Sequence, residues 1–330
     1  MDEVKKVLLT GACGRIGSRL AERLLEDGIE VVGLDLAPVQ INHEHYSHVQ
    51  TSFKDGIQLE EPLNGVDVLL HLGAMMSWHP NDNLAMFEAN VSATQQLLDA
   101  AMGVGVNRFV FASSGEVYPE VAAKTFPITE DMPLNPTSYY GLTKKLGEEL
   151  VNFYQRQGLE TVTLRFPHTQ AVDEILDPDS FFSGPRLFLE GKIKQMELFG
   201  NHAVVEKLKS LRGDDGPRMI VQHGEDDGLP YQMHIADVRD IIEGILLGMQ
   251  HPNAANEIFN VEPDDIVEFD KVLPRMAVIT GLPLVKAFMP GKAIRYRTSN
   301  SKIKNLLGFQ PNYTFMDMVE ENWNGCEPRT

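Results

Sequence analysis

A tyrosine and a lysine one helical turn apart, Tyr140 and Lys144, are the side chains of this sequence whose types and spacing best suit chemistry. They follow a proline turn that ends in Ser138, a hydroxyl residue of the kind that begins a helix. A phenol has an unperturbed pKa of about 10, and a nearby ammonium group favours its phenolate. Tyr140 is therefore a candidate proton carrier, although a surface lysine on an amphipathic helix also explains the pair.

A serine is the third candidate. The strongly apolar run 108–114 ends in Ser113 and Ser114, and such a run is typical of a strand buried on both faces of a parallel sheet. Ligands of such sheets bind beyond the carboxyl ends of the strands. Ser114 is therefore placed for chemistry.

A glycine-rich loop precedes these residues, Thr10-Gly11-Ala12-Cys13-Gly14-Arg15-Ile16-Gly17, between the apolar run 7–9 and a segment with helical periodicity. Backbone N–H groups at a helix start lack intrahelical partners and carry the positive end of the dipole, so such a junction binds anions. Glycine lets a pyrophosphate approach where a Cβ would block it. The loop therefore predicts a phosphate site, with a structural turn as the alternative.

A second apolar strand, 31–34, ends on Asp35, about 20 residues after the loop, and this supports a dinucleotide site over a simple turn. An acid at this place hydrogen-bonds the adenosine ribose. No Arg or Lys follows Asp35 within several residues, and a carboxylate there repels a 2′-phosphate. The sequence therefore predicts NAD rather than NADP as the cofactor.

Alternating strands and helices position these residues. Apolar runs predict strands at 7–9, 31–34, 65–74 and 108–114, and helical periodicity predicts helices after the glycine loop, over 84–102 and over 138–157. This alternation indicates an α/β fold with a doubly wound parallel sheet.

The composition limits the possible partners. The chain has 330 residues, 43% of them hydrophobic, and a formal net charge of −18, which disfavours nucleic acid and anionic membranes as partners. It has two cysteines, Cys13 and Cys326, too few for a disulfide framework or a metal cluster, so we expect a reducing cytoplasmic setting and no metal site. No apolar run approaches the length of a signal sequence or membrane span.

Several motifs together resemble those of the extended short-chain dehydrogenase/reductase family, the NAD-dependent epimerases and dehydratases of sugars and nucleotide sugars. The matching segments are T-G-A-C-G-R-I-G, V-D-V-L-L-H-L-G-A at 66–74, N-V-S-A-T at 90–94, S-S-G-E-V-Y at 113–118, the Tyr140/Lys144 pair and L-L-G-F-Q-P at 306–311. The resemblance covers nearly the whole chain. It specifies the family and not the substrate.

The resemblance implies roles for individual residues. The implied catalytic residues are Ser114, Tyr140, Lys144 and Glu116. The implied cofactor contacts are Gly11, Gly14, Arg15, Ile16, Gly17, Asp35, Leu72, Gly73, Ala74, Asn90, Tyr140, Lys144 and Pro167. The implied substrate contacts are Met75, Ser114, His168 and Arg186. The loop after the 65–74 strand also lies where family members receive substrate, although core packing would use the same residue types; it contains Met75, Met76, Trp78 and His79.

The resemblance also implies a Rossmann sheet with a smaller, interleaved C-terminal domain that caps the substrate. Residues 1–168 and 231–250 would form the NAD-binding domain, and residues 169–230 and 251–330 the substrate-binding domain. The stretch 196–218 is longer than usual and is expected to be either a lid or an inserted surface hairpin. Two helices of each subunit form the dimer interface in the family, so a homodimer is implied. In this sequence these helices, 84–102 and 138–157, have more apolar positions than one face toward the sheet requires, namely Leu97, Leu98, Leu146, Leu150 and Phe153.

Three departures from the family pattern concern the substrate. Pro230 stands where nucleotide-sugar members carry a diphosphate-binding arginine, and His168 stands where an asparagine usually reaches the substrate. Gly115 stands where dehydratases usually carry their acid, so the acid–base pair is incomplete beside Glu116, itself either a base or a carboxylate on an exposed loop. We therefore expect a free sugar, sugar acid or polyol rather than a nucleotide sugar.

The function implied is oxidation of a secondary alcohol of a sugar-like molecule by hydride transfer to NAD, in an enzyme of the epimerase/dehydratase type. The alternatives are a plain dehydrogenase or reductase that releases NADH, a nucleotide-sugar epimerase or dehydratase, and a non-catalytic NAD-binding sensor. Such sensors commonly lack the tyrosine or the lysine, and this sequence has both.

Overall fold

The computed structural model describes residues 3–39, 41–52, 59–119, 126–213 and 216–326. The strands in these ranges are β1 Lys6–Thr10, β2 Glu30–Asp35, β3 Tyr46–Gln50, β4 Val68–His71, β5 Arg108–Ser114, β6 Thr161–Phe166, β7 His168–Gln170, β8 Met219–Gly224, β9 Gln232–Met233, β10 Ile235–Asp237, β11 Glu257–Asn260, β12 Val267–Glu268 and β13 Leu284–Met289. The α-helices in the same ranges are α1 Arg15–Glu26, α2 Asn83–Phe87, α3 Ala93–Val104, α4 Tyr139–Arg156, α5 Gly184–Leu187, α6 Leu189–Leu198, α7 His202–Lys209, α8 Val238–Gln250, α9 Phe269–Thr280, α10 Ser301–Leu307 and α11 Phe315–Cys326.

Seven parallel strands form one sheet in the order β11-β6-β5-β4-β1-β2-β3. The strand order reverses between β1 and β4, and a doubly wound sheet opens a ligand crevice at that point. The predicted α/β fold with a doubly wound parallel sheet is confirmed, and the glycine loop and residues 72–74 follow the two strands at the crevice.

The sheet forms because its strands are apolar on both faces, as parallel sheets covered by helices require. All four residues of β4 are buried, and so are the first six of β5. On one face, α1 and α8 pack against the sheet through residues such as Leu20, Leu24 and Ile241. On the other face, α3 and α4 pack through Leu97 and Val151.

The predicted helix over 84–102 consists of three pieces in the structure. α2 and α3 are joined by a turn of π-helix, Glu88–Ser92, which centres on the buried Asn90. Such π-turns are rare and occur frequently at functional sites.

A separate hydrophobic core lies in the C-terminal half. It joins α6, α7, α9 and α11 with the parallel pair β8 and β13, and it includes Leu187, Leu208, Met219 and Met318. The stretch 196–218 belongs to this core through α7, with Val204, Val205 and Leu208 buried, so the expectation of a surface hairpin is wrong. Its basic residues pair with acids outside the core, for example Arg212 with Glu190.

Two segments differ from the predicted domain bounds. β11 and α10, assigned by the sequence to the substrate-binding domain, pack with the sheet, since β11 pairs with β6 and Ile303 of α10 lies in the core beside it. Tyr231 and Met233, assigned to the NAD-binding domain, lie in the C-terminal core instead. The two-domain division stays a prediction, with these segments exchanged.

No helix in the part of the chain that the structure describes combines the length and apolarity needed to cross a bilayer.

Candidate active site

One cavity of about 850 Å³ runs along the carboxyl edge of the sheet. The glycine loop and Asp35 line one end, and Ser114, Tyr140 and Lys144 line the middle. The residues that the sequence assigned to cofactor, substrate or chemistry border this cavity, with the exceptions of Asn90 and His79.

The glycine loop leaves no room for side chains at its turn. Gly11 has a φ of +71°, and a Cβ there would lie 2.8 Å from the Cα of Gly73. A Cβ on Gly17 would lie 2.0 Å from the carbonyl oxygen of Gly11. α1 begins directly after Gly14, so its first N–H groups and dipole point at this end of the cavity. These features fit the pyrophosphate of a dinucleotide.

Asp35 is fixed at the end of β2 by two backbone amides. Cys13 N donates to its Oδ2 at 2.9 Å, and Ala37 N donates to its Oδ1 at 3.0 Å. A carboxylate oxygen accepts more than one hydrogen bond, so ribose hydroxyls retain acceptors here. The carboxylate fits the adenosine side of the same dinucleotide.

Tyr140 and Lys144 lie in the first turns of α4, which Ser138 caps by accepting from Gly141 N at 2.9 Å. The ammonium nitrogen of Lys144 lies 5.8 Å from the ring centre of Tyr140 and donates to the carbonyl oxygen of Ala112 at 2.8 Å. That carbonyl belongs to β5, two residues before Ser114. The helix and the strand are therefore held together at the three candidate residues.

Burial sets the pKa values of this pair. It lowers the pKa of Lys144 to about 8, with Glu148 acting in the opposite direction. It raises the pKa of Tyr140, and Glu116 adds to that shift. The protein alone therefore keeps Tyr140 protonated at neutral pH, and the predicted phenolate needs the positive charge of an oxidised nicotinamide as well.

Glu116 points toward the cavity from the short 3-10 helix Gly115–Val117. Ser138 Oγ donates to its carboxylate, and the guanidinium of Arg186 acts on it. Burial raises its pKa against both of these effects. The exposed-loop alternative for Glu116 is wrong, because the carboxylate is enclosed.

The neighbouring Gly115 is sealed by a residue from far along the chain. Tyr296 donates its hydroxyl to the Gly115 carbonyl oxygen at 2.8 Å, and a Cβ on Gly115 would lie 2.2 Å from that hydroxyl oxygen. An acidic side chain at this place would require Tyr296 to move. The sequence thus lacks the dehydratase acid at position 115, and the packing of Tyr296 leaves no space for one.

Asn90 is buried next to the cavity and holds two of the segments that form it. Its amide accepts from Met75 N at 2.7 Å and donates to Met75 O at 2.8 Å and to Thr143 Oγ1 at 3.0 Å. Thr143 in turn donates to the Tyr140 carbonyl oxygen at 2.7 Å. Asn90 is 2% exposed and does not line the cavity, so its predicted role as a direct cofactor contact does not match the structure.

His71 links this support to the glycine loop. Thr94 gives its only hydroxyl proton to Asn90 O at 2.6 Å, so His71 Nε2–H is the donor in its 2.9 Å contact with Thr94 Oγ1. Burial and Lys144 lower the pKa of His71 to about 3, so the ring is neutral and its Nδ1 accepts from Thr10 Oγ1 at 2.7 Å. Hydrogen bonds through His71 and Thr94 thus connect Thr10, at the end of β1, with Asn90, which holds Met75.

The far end of the cavity is aromatic. Trp78 stacks on Phe181 with ring centres 4.1 Å apart, Phe182 lies against His168, and Arg15 from the glycine loop lies over Phe182. Met75 and Met76 also line this end, so their predicted place on the substrate side is supported over a core role. Phe181 and Phe182 were not predicted, and adjacent aromatic residues in an otherwise polar loop were the signal that could have found them.

Comparisons with known proteins agree with this geometry. A family model described as "NAD dependent epimerase/dehydratase family" matches residues 7–261. A solved structure of a short-chain dehydrogenase/reductase superfamily protein from Agrobacterium tumefaciens with bound NAD is 49% identical, with a TM-score of 0.91 over 97% of this chain and 96% of that one.

Curated relatives are more distant. A UDP-glucose 4-epimerase from Mycolicibacterium smegmatis is 28% identical over 321 residues, which span 93% of each chain. A uronate dehydrogenase from Pseudomonas syringae pv. tomato is 34% identical over 178 residues, which span 50% of this chain and 61% of that protein.

Proposed function

This chain belongs to the NAD-dependent epimerase/dehydratase family, and we propose that it oxidises a secondary alcohol of a sugar or sugar-like substrate at a Ser114-Tyr140-Lys144 site. The observation that carries the proposal is the convergence of these three side chains on the cavity that also holds the glycine loop and Asp35. The family is a family of enzymes that use NAD.

The chain's own residues divide the work as follows. Ser114 holds the substrate hydroxyl, and Tyr140 takes the hydroxyl proton as the carbonyl forms. Lys144 stabilises the phenolate form of Tyr140 that accepts this proton, and it holds the nicotinamide ribose. NAD, when bound, supplies the acceptor for the hydride that leaves the same carbon. Asn90 and Thr143 keep the first turn of α4 against the wall, so that Tyr140 stays aligned with Ser114.

The chain's basic residues support a substrate without a nucleotide diphosphate. Arg186, Lys192, Lys194 and Arg218 are the candidates that could replace the missing arginine at Pro230, and among them Arg186 lines the cavity. A diphosphate needs paired, charge-assisted hydrogen bonds, and one guanidinium offers few of them. We therefore favour a free sugar, sugar acid or polyol over the nucleotide-sugar alternative.

Glu116 is the candidate for a second acid–base group. Its enclosed carboxyl and raised pKa suit a proton exchange with the substrate. Dehydration needs a further acid, which Gly115 does not supply. Epimerisation or plain oxidation therefore fits this site better than dehydration.

We also propose that two copies pair through α2 and α4. Leu84, Leu142 and Phe153 are 69%, 40% and 50% exposed, and Leu142, Leu146 and Phe153 recur along one side of α4. Of the five apolar positions that suggested a second buried face, Leu97 and Leu98 lie in the sheet core and do not add to this face. A cytoplasmic location stays a prediction.

The test is to add NAD and a panel of sugars, sugar acids and polyols to the purified protein. The absorbance of reduced nicotinamide and the sugar products are then followed together. We expect at least one substrate to give NADH or an epimerised product. Stoichiometric NADH would select the plain dehydrogenase over internal recycling. Absence of both products across the panel would contradict the proposal and favour the non-catalytic sensor.

A further inference from the structure

Three cationic side chains line the cavity among the described residues. Among the described residues that line it, Arg15 lies at the glycine loop and pairs with Glu174, and Lys144 donates to the Ala112 carbonyl behind the catalytic tyrosine. Arg186 lies beside Glu116 and His168 and acts on the charge of both. Arg15 also lies over Phe182, next to His168, but it is already paired with Glu174, so Arg186 is the stronger candidate to bind a substrate anion.

The fold holds Arg186 in place before any ligand binds. The buried Gln222 donates its amide to the carbonyl oxygens of Pro185 and Arg186, at 3.0 and 3.1 Å. Arg186 Nη1 donates to the Phe182 carbonyl oxygen at 3.2 Å. A guanidinium fixed in this way loses little conformational freedom when it binds an anion.

The neighbours of the guanidinium leave this end of the cavity positive. His168 lies 3.1 Å, Nε2 to Nε2, from the Gln170 amide nitrogen that donates to it, and burial holds the pKa of the ring well below its ordinary value, so it is neutral. Burial raises the pKa of Glu116, which reduces the negative charge that faces Arg186. Arg186, which donates to Phe182 O beside the neutral His168 ring, therefore favours an anionic group of the ligand here.

The surrounding surface suits a ring with an apolar face. Trp78 and Phe181 are nearly parallel, at 17°, and Phe181 is 41% exposed. Met75 and Met76 extend the same wall. Aromatic faces of this kind attract the slightly positive C–H groups on one side of a sugar ring.

From this juxtaposition we propose that the substrate is a sugar acid and that Arg186 binds its carboxylate while a secondary hydroxyl reaches Ser114 and Tyr140. The fork of a guanidinium matches one carboxylate through two parallel hydrogen bonds. Arg186 is then the residue that determines specificity for acids over neutral sugars. This inference rests on the oxidation proposed above and deepens it by naming the substrate class.

The experiment compares matched pairs that differ only in the acidic group. Glucuronate and glucose, galacturonate and galactose, and the uncharged amide of glucuronate are titrated into the protein with NAD present, and their turnover is measured. We expect at least one acid to bind about tenfold or more tightly than its neutral partner and its amide. Equal affinity for an acid and its neutral partner would overturn the proposal, and so would binding of neutral sugars alone.

Variants assign the preference to Arg186. Arg186→Gln should raise KM for the acid about tenfold or more, with a much smaller effect on kcat and on the neutral sugar. Arg186→Lys should recover part of the affinity, since it restores the charge without the fork. The matched control is Arg218→Gln, because Arg218 does not line the cavity. Equal losses for acid and neutral sugars in Arg186→Gln would show a merely structural role.

The turnover of neutral and acidic sugars distinguishes a failure of the acid specificity from a failure of the proposed oxidation. Oxidation of neutral sugars with no preference for acids would leave the proposed oxidation intact and remove the acid specificity. Failure to oxidise or epimerise any member of the pairs would contradict both.

Discussion

Asp35 uses two of its acceptor positions within the protein, on the amides of Cys13 and Ala37, and these contacts fix the carboxylate at the edge of the cavity. Leu36, Ala37 and Ser52 line the cavity next to it, and none of them can neutralise a phosphate. The charge of Asp35 therefore decides between the two nicotinamide dinucleotides.

The substitution Asp35→Asn should weaken NAD and narrow its advantage over NADP. Hydrogen bonds to a charged acceptor contribute about 1.5–3 kcal/mol, so we expect NAD affinity to fall roughly tenfold or more. NADP affinity should rise, because the repulsion of the 2′-phosphate is removed. Calorimetric titration of both dinucleotides measures this, with Asp27→Asn as control because Asp27 does not line the cavity. Tighter binding of NADP than of NAD by the unmodified protein would contradict the role of Asp35 in selecting NAD.

At the scale of secondary-structure elements, α4 connects the parts of the site. Its cap, Ser138, also holds Glu116, its first turn carries Tyr140, and its second carries Lys144. One turn further, Glu148 pairs with the buried Arg165 of β6 and accepts from Ser113 Oγ at 2.5 Å. One helix thus aligns two strand ends with the catalytic candidates.

The elements predicted from sequence were those with a local signal. The strands at β1, β2, β4 and β5 are apolar on both faces, and the helices at α1 and α4 have a clear period and a turn or cap at the start. Their order along the chain was enough to predict the sheet, because parallel strands with helical crossovers have few arrangements. The cavity at the strand ends followed from the same rule.

The features that were missed depend on contacts between distant parts of the chain. Tyr296 reaches Gly115 across 181 residues, and no pattern near either residue indicates it. β11 joins the sheet as an edge strand although its sequence looks like the rest of the C-terminal half. Leu97 faces the sheet rather than a partner, since the π-turn before α3 shifts the phase of the helix. The inward turn of Asn90 has the same cause.

The whole molecule carries exposed apolar side chains on α4 and α2, and these favour a dimer over a monomer. Large apolar side chains such as Leu84 and Phe153 cost free energy in water, and a second copy would cover them. The two helices contact each other, and both carry exposed apolar side chains. Symmetric pairing would bring the same side chains of both copies together.

We expect the protein to sediment as a dimer at micromolar concentration and Phe153→Glu to sediment as a monomer. A buried carboxylate at the centre of such an interface costs several kcal/mol unless it is paired. The matched control is Val278→Glu, since Val278 is an apolar residue that is 85% exposed on α9, away from this face. A single-chain mass for the unmodified protein would rule out the pairing, and an unchanged dimer in Phe153→Glu would rule out this interface.

Tyr140 is the proposed carrier of the proton from the oxidised alcohol, and a comparison of two neighbouring tyrosines tests this role. Tyr140→Phe removes the hydroxyl that faces the cavity, and Tyr139→Phe removes one that does not line it. With NAD and an active substrate, we expect kcat to fall about a hundredfold or more in Tyr140→Phe, as loss of a general base does, and to stay within about twofold in Tyr139→Phe. NAD affinity should change little in either variant. Full turnover by Tyr140→Phe would contradict the account.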